Sequence, residues 1–180
     1  MASTLKVDNI IATDGTTAPI TLSGDAATLG NGVTFPAGHV LQVKIASKDI
    51  SSGISHGSNS YIDIHSISIT PVTTNSKFLL IGGFSVYRNS TVPTNSGMAF
   101  VRNVNGGSFT DLMKDNYSIY DQDTFNGARH YGVSRSLLDD PTYTAGQVLI
   151  YKSQQNTSDN SSTQTLGRAT ELVVMEISAS

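Results

Sequence analysis

From His39 onward, apolar and polar residues alternate with a period of two, the mark of strands that bury one face. "HVLQVKIAS" (His39–Ser47) sets Leu41, Val43 and Ile45 on one side and Val40, Gln42, Lys44 and Ala46 on the other. The first set is the more apolar, so it is the expected core face. In "YIDIHSISIT" (Tyr61–Thr70), Ile62 and Ile64 share a parity and Ile67 and Ile69 share the opposite one. That change predicts a β-bulge near His65–Ser66. "KFLLIGGFSVYR" (Lys77–Arg88) reads as a central strand kinked at Gly82–Gly83. "GMAFVRNVNGGSF" (Gly97–Phe109) reads as a strand, a turn at Asn105-Gly106-Gly107, and a return. "ARHYGVSRSLLDD" is a strand entering a loop. "YTAGQVLIYKSQ" alternates around Val148 and Ile150, opposite Leu149 and Tyr151, and "ELVVMEIS" closes the series, apolar on both faces up to Glu176. That suits a strand lying between its own sheet and a neighbour.

Helical periodicity is weak everywhere. "FTDLMKDNYSIY" (Phe109–Tyr120) comes nearest and is expected to hold one helical turn. The strand spacing after Phe35 therefore predicts an all-β protein with a jelly-roll-like antiparallel sandwich. Residues 39–180 are its head domain.

Residues 1–38 differ. Leu5, Val7, Ile10, Ile11, Ile20, Leu22, Leu29, Val33 and Phe35 are spread thinly between turn signals such as Asp14-Gly15 and Gly30-Asn31-Gly32. A hairpin of this kind is marginal alone in water. Three copies pooling these side chains, at roughly 1.5–3 kcal/mol each when buried, would make a thin β stem. The segment is thus expected to pair between chains in a homotrimer, with Pro36-Ala37-Gly38 as the joint to the head.

Composition narrows the function. Charged residues are 14% of the 180, the net charge is −3 and basic runs are lacking, which disfavours nucleic acid as a partner. Cysteine is absent, so disulfides and thiolate metal sites are excluded. No apolar run reaches the roughly 20 residues that cross a bilayer, and no signal peptide is evident. A protein made in a cytosol, without membrane insertion, is expected.

The four histidines show no metal-ligand spacing. Asp121 and Asp123 begin like a calcium loop, but Phe125 and Asn126 stand where further ligands and glycine belong. No nucleophile elbow or phosphate loop occurs. The expectation is no enzyme, no metal and no cofactor. Ligand recognition is better represented. Tyr117, Tyr120, Asp121, Asp123, Phe125 and Arg129 fall within "DNYSIYDQDTFNGARH", a mixture of rings and charges suited to a host-surface glycan. The same rings also suit the edge of an ordinary core.

Several segments resemble fibrous virion proteins of bacteriophages, especially those of marine bacteria. "STLKVDNIIATDGTTAPITLSG" is similar to their N-terminal segments, "FPAGHVLQV" to the joint that follows, "SLLDDPTYTAGQVLIYKSQ" to a loop and strand of their C-terminal domains, and "TELVVMEIS" to their last strand. The four pieces keep the same order and bracket nearly the whole chain. The resemblance implies a virion structural protein, a short homotrimeric fibre. Residues 1–38 would attach it to tail or capsid proteins, and the head would be exposed for host adsorption. A capsid decoration fibre without a receptor and a free carbohydrate-binding module are the alternatives. No catalytic residue is implied.

Overall fold

The computed structural model describes residues 9–10, 20–23, 26–29, 35–48, 61–88, 94–121, 129–157, 165–166 and 170–179. The chain divides into two compact units, residues 1–36 with Ser180, and residues 37–179.

In the first unit, β1 (Asn9–Ile10), β2 (Ile20–Ser23) and β3 (Ala26–Leu29) form an antiparallel sheet in the order β1-β2-β3. Ile20 is in register with Ile10 on one side and Leu29 on the other. Within one chain these three strands pair with each other. Their short lengths and frequent turns favour the local partner, because closing a short loop costs little entropy. Leu5, Val7, Ile11 and Val33 lie outside the described residues.

The second unit holds β4 (Val40–Lys48), β5 (Tyr61–Ile69), β6 (Lys77–Arg88), β7 (Thr94–Val104), β8 (Thr110–Asp121), β9 (Arg129–Asp139), β10 (Leu149–Thr157), β11 (Thr165–Leu166) and β12 (Thr170–Ile177). One sheet runs β5-β10-β7-β8. In the other, β12 lies between β4 and β6, β9 borders the far side of β6, and β11 pairs with the end of β6 beyond β12. Setting aside the two-residue β11, the sheets are β4-β12-β6-β9 and β5-β10-β7-β8. Every pairing is antiparallel. This is the strand order of a jelly roll. The expected all-β sandwich is the observed fold.

Its core lies between the sheets. Ile64, Ile67 and Ile69 of β5, Met98 and Phe100 of β7, and Leu149 and Tyr151 of β10 meet Phe78, Leu80 and Phe84 of β6 and Leu172 and Val174 of β12. Phe78 packs on Tyr151 with centroids 5.6 Å apart and edge-on to Tyr143 at 6.0 Å. The bulge in β5 is at Ile64, where the register with β10 steps from His65 to Asp63, one residue from its expected place. It lets the consecutive Ile64 and His65 both be buried. The turn at Asn105-Gly106 has φ of +50° and +81°, as a tight hairpin requires.

Three expectations are corrected. Phe109–Tyr120 holds no helical turn: β8 covers Thr110–Asp121 and is zipped to β7, whose pairing overrides a weak helical pattern. β6 passes Gly82–Gly83 without a shift of register toward either neighbour. Gly82 is there for space, since a Cβ would come within 2.8 Å of the Phe100 ring and 3.0 Å of Met98. Finally, β4 turns Val43 and Ile45 outward, 47% and 65% exposed. Its inner face carries Gln42 and Ala46. Register decides this: β12 buries Leu172, Val174 and Glu176, and these stand opposite Ala46, Lys44 and Gln42.

Candidate functional site: an uncovered apolar sheet face

The proposed recognition residues fall at the ends of two strands in different sheets. Tyr117, Tyr120 and Asp121 are on β8, with Tyr120 and Asp121 in register with Asn95 and Thr94 of β7. Arg129 starts β9, opposite Arg88 of β6. Asp123 and Phe125 lie outside the described residues. Tyr143, after β9, is a core residue: its hydroxyl donates to Thr73 O at 2.8 Å and accepts from Ser76 N at 2.8 Å.

Three buried polar groups were not singled out by the sequence. Each joins elements far apart in the chain. His65 of β5 lies between Ser153 of β10 and Thr170 of β12. The Thr170 carbonyl, 3.1 Å from Nε2, can only accept, so Nε2 carries the proton and Nδ1 accepts from the Ser153 hydroxyl at 2.9 Å. Burial disfavours the imidazolium and holds His65 below its usual range, a shift partly offset by the Thr170 carbonyl. A serine hydroxyl on a neutral imidazole is the contact of an activated nucleophile. Here both side chains are buried, and Nε2 meets a backbone carbonyl and the Thr170 hydroxyl. The group ties the two sheets.

Arg102 of β7 reaches across the sandwich to Asp139 of β9, with Nη1 at 2.6 and 2.7 Å from the two carboxylate oxygens. The Tyr151 hydroxyl donates to the same carboxylate at 2.8 Å. Burial, and then the Asp139 charge, push the Tyr151 phenol far above its normal range. Glu176 is fully buried near the other end of β12's partner strand β4. Its carboxylate accepts from Val72 N at 2.8 and 3.0 Å, Ser76 Oγ at 2.5 Å and Gln42 Nε2 at 2.6 Å. It clamps the turn between β5 and β6. All three arrangements are structural ties with their hydrogen-bonding capacity directed inward. Among the described residues, no three His, Asp or Glu side chains gather as a metal would need.

What reaches solvent differs between the two sheets. Outside β5-β10-β7-β8, Lys152 pairs with Asp63 at 2.5 Å and covers the Phe109 ring at 4.4 Å, and Lys114 pairs with Asp111 and lies over Tyr61. That face is polar and charged. Outside β4-β12-β6-β9 the cross-strand registers build two uncharged rungs. One is Val43–Met175–Leu79–Leu138; the next is Ile45–Val173–Ile81–Ser136. Leu138 is 55% exposed. Charge appears only beyond them, as Glu171 at one end and Lys77, paired with Asp140 at 3.1 Å, at the other. An open cleft of about 240 Å³ is cut into this face between Ile81, Gly82, Gly83, Ser134, Glu171 and Val173. It exists because Gly83 places no side chain between Ser134 and Glu171, its rung neighbours.

No protein-family model matches the sequence, and no curated protein matches it. Solved structures give distant likenesses. The structure of the infectious bursal disease virus Gx strain aligns with 88% of this chain and 36% of its own, at 14% identity and a TM-score of 0.45. The VP2 subviral particle of the same virus aligns with 90% and 38%, at 15% identity and 0.43. Dimeric latent PorU from Porphyromonas gingivalis aligns with 81% and 14%, at 12% identity and 0.39. The chain spans well under half the length of each. Likeness at this level does not assign a function.

Proposed function

We propose that this chain is a virion structural protein, a short bacteriophage fibre that acts as a homotrimer. Residues 1–38 attach it to the particle, and residues 39–180 are a head displayed for host-surface attachment. The observation that carries this reading is the jelly-roll strand order, an architecture used by capsid proteins and lectins alike, in a chain whose segments resemble those of phage fibres. The polar groups of the head support it: His65, Arg102 and Glu176 are committed to holding the sandwich together. A head that must stay folded outside a cell, without disulfides, gains from such ties. Receptor contact is assigned to the ends of β8 and β9, where Tyr117, Tyr120, Asp121 and Arg129 lie, with Asp123 and Phe125 between them in the chain.

The test is labelling of purified phage particles with an antibody raised against residues 39–180. Labelling at a fixed site on intact particles is expected. Particles that carry none of the protein overturn the reading. The receptor assignment is tested separately. Tyr120→Ala with Phe125→Ala should abolish binding of the purified protein to host cells; unchanged binding removes these residues from the site.

A further inference from the structure

We infer that the outer face of β4-β12-β6-β9 is the surface through which the head packs against other copies of this chain, around a threefold axis parallel to the strands. The inference rests on the homotrimer proposed above and names the surface that makes it.

Three features select a second copy as the occupant. First is charge. The two rungs carry no charged side chain, while the opposite outer face carries Lys152–Asp63 and Lys114–Asp111. An uncharged face accepts an identical one without opposing like charges. Second is extent. Four strands at about 4.8 Å spacing and two alternate positions along each give a patch on the order of 260 Å² in projection. That is about a third of the ~800 Å² that a stable contact takes from each partner, so it suits the apolar centre of an interface whose rim is polar.

Third is geometry. The outer strands of a four-stranded face are roughly 14 Å apart, so three such faces closed into a prism with one strand spacing left at each corner stand about 7 Å from the axis, near the ~5 Å that is half the separation of packed sheets. Three copies fill the centre; four would leave it open. The most exposed apolar side chains sit at the two margins of the face, Val43 and Ile45 on β4 and Leu138 on β9. Val43 and Leu138 end the same rung, so a threefold axis along the strands brings Val43 of one copy level with Leu138 of the next. Ile45 comes level with Ser136 one rung away, beside the cleft left by Gly83.

The absence of cysteine makes the test clean. The double variant Val43→Cys with Leu138→Cys, and each single variant, are purified as the full chain. They are sized by light scattering and then treated with a short bis-maleimide. The double variant should become a covalent trimer, migrating at three times the 19.0 kDa chain mass. The single variants should stay uncrosslinked, since like positions stand roughly 17 Å apart across the prism. A trimer by light scattering that gives no covalent product overturns the face assignment and leaves the homotrimer. A monomer overturns both. Covalent dimers from Val43→Cys alone overturn the threefold arrangement in favour of two faces stacked about a twofold axis.

Discussion

Glu176 shows what a single residue does in this fold. Its carboxylate is fully buried and gathers two backbone amides, a hydroxyl and the Gln42 amide. Removing one partner of a buried, hydrogen-bonded charge leaves the others unmet, at a cost of about 3 kcal/mol or more. Glu176→Ala should lower the urea-unfolding free energy by that order. His65 makes stability depend on pH. Burial holds its native pKa below the unfolded value of about 6.5, so the unfolded chain binds more protons in between. The contribution is intact above about pH 6.5 and is lost as pH falls below it. The urea midpoint should drop between pH 7.5 and 5.5, and His65→Gln should flatten that slope while lowering the midpoint at pH 7.5. Neither residue could be chosen from sequence, because their partners lie 88 to 134 positions away. A partial signal for Glu176 was present. It shares the parity of Leu172 and Val174 in a strand apolar on both faces, so a carboxylate had to be accommodated on one of them.

At the scale of elements, period-two alternation located the strands of the head, and the parity change in β5 located its bulge to within a residue. What alternation does not decide is which apolar face points inward. β4 offered Leu41, Val43 and Ile45 as its core set, yet pairing with β12 turned Val43 and Ile45 to solvent. The more valuable burial of Leu172 and Val174, together with the need of Glu176 for Gln42, fixed the register. β12 is therefore the element the sheet can least lose, being zipped to β4 on one side and β6 on the other. Deletion of residues 172–180 should abolish soluble, cooperative folding of the chain, as read by circular dichroism and gel filtration. Gly82 makes a narrower element-scale test. A methyl group there meets the buried Phe100 and Met98, so Gly82→Ala should cost about 1–3 kcal/mol.

The whole molecule combines a small N-terminal sheet unit with a jelly-roll head, each closed by its own strand pairings. The sandwich was legible because most segments after Phe35 carried the same period-two signal, enough to outweigh the weak helical pattern over β8. The proposed recognition stretch stands out by composition alone: Tyr117, Tyr120 and Asp121 lie on β8 and Arg129 on β9, strands of different sheets, and alternation does not encode how such strand ends are placed. On the face proposed for trimer contact, Ile45→Lys places a charge at the margin; if the unaltered chain is a trimer in light scattering, this variant should be a monomer with an unchanged circular dichroism spectrum.

The central claim, a trimeric fibre fixed to a virion by its N-terminal unit, is tested most directly by cryo-EM reconstruction of the phage particle that carries the chain. Three jelly rolls about a threefold axis are expected at each attachment site, with residues 1–38 against the particle. A reconstruction that shows the protein as a single copy, or docked through its head with residues 1–38 outward, would contradict it.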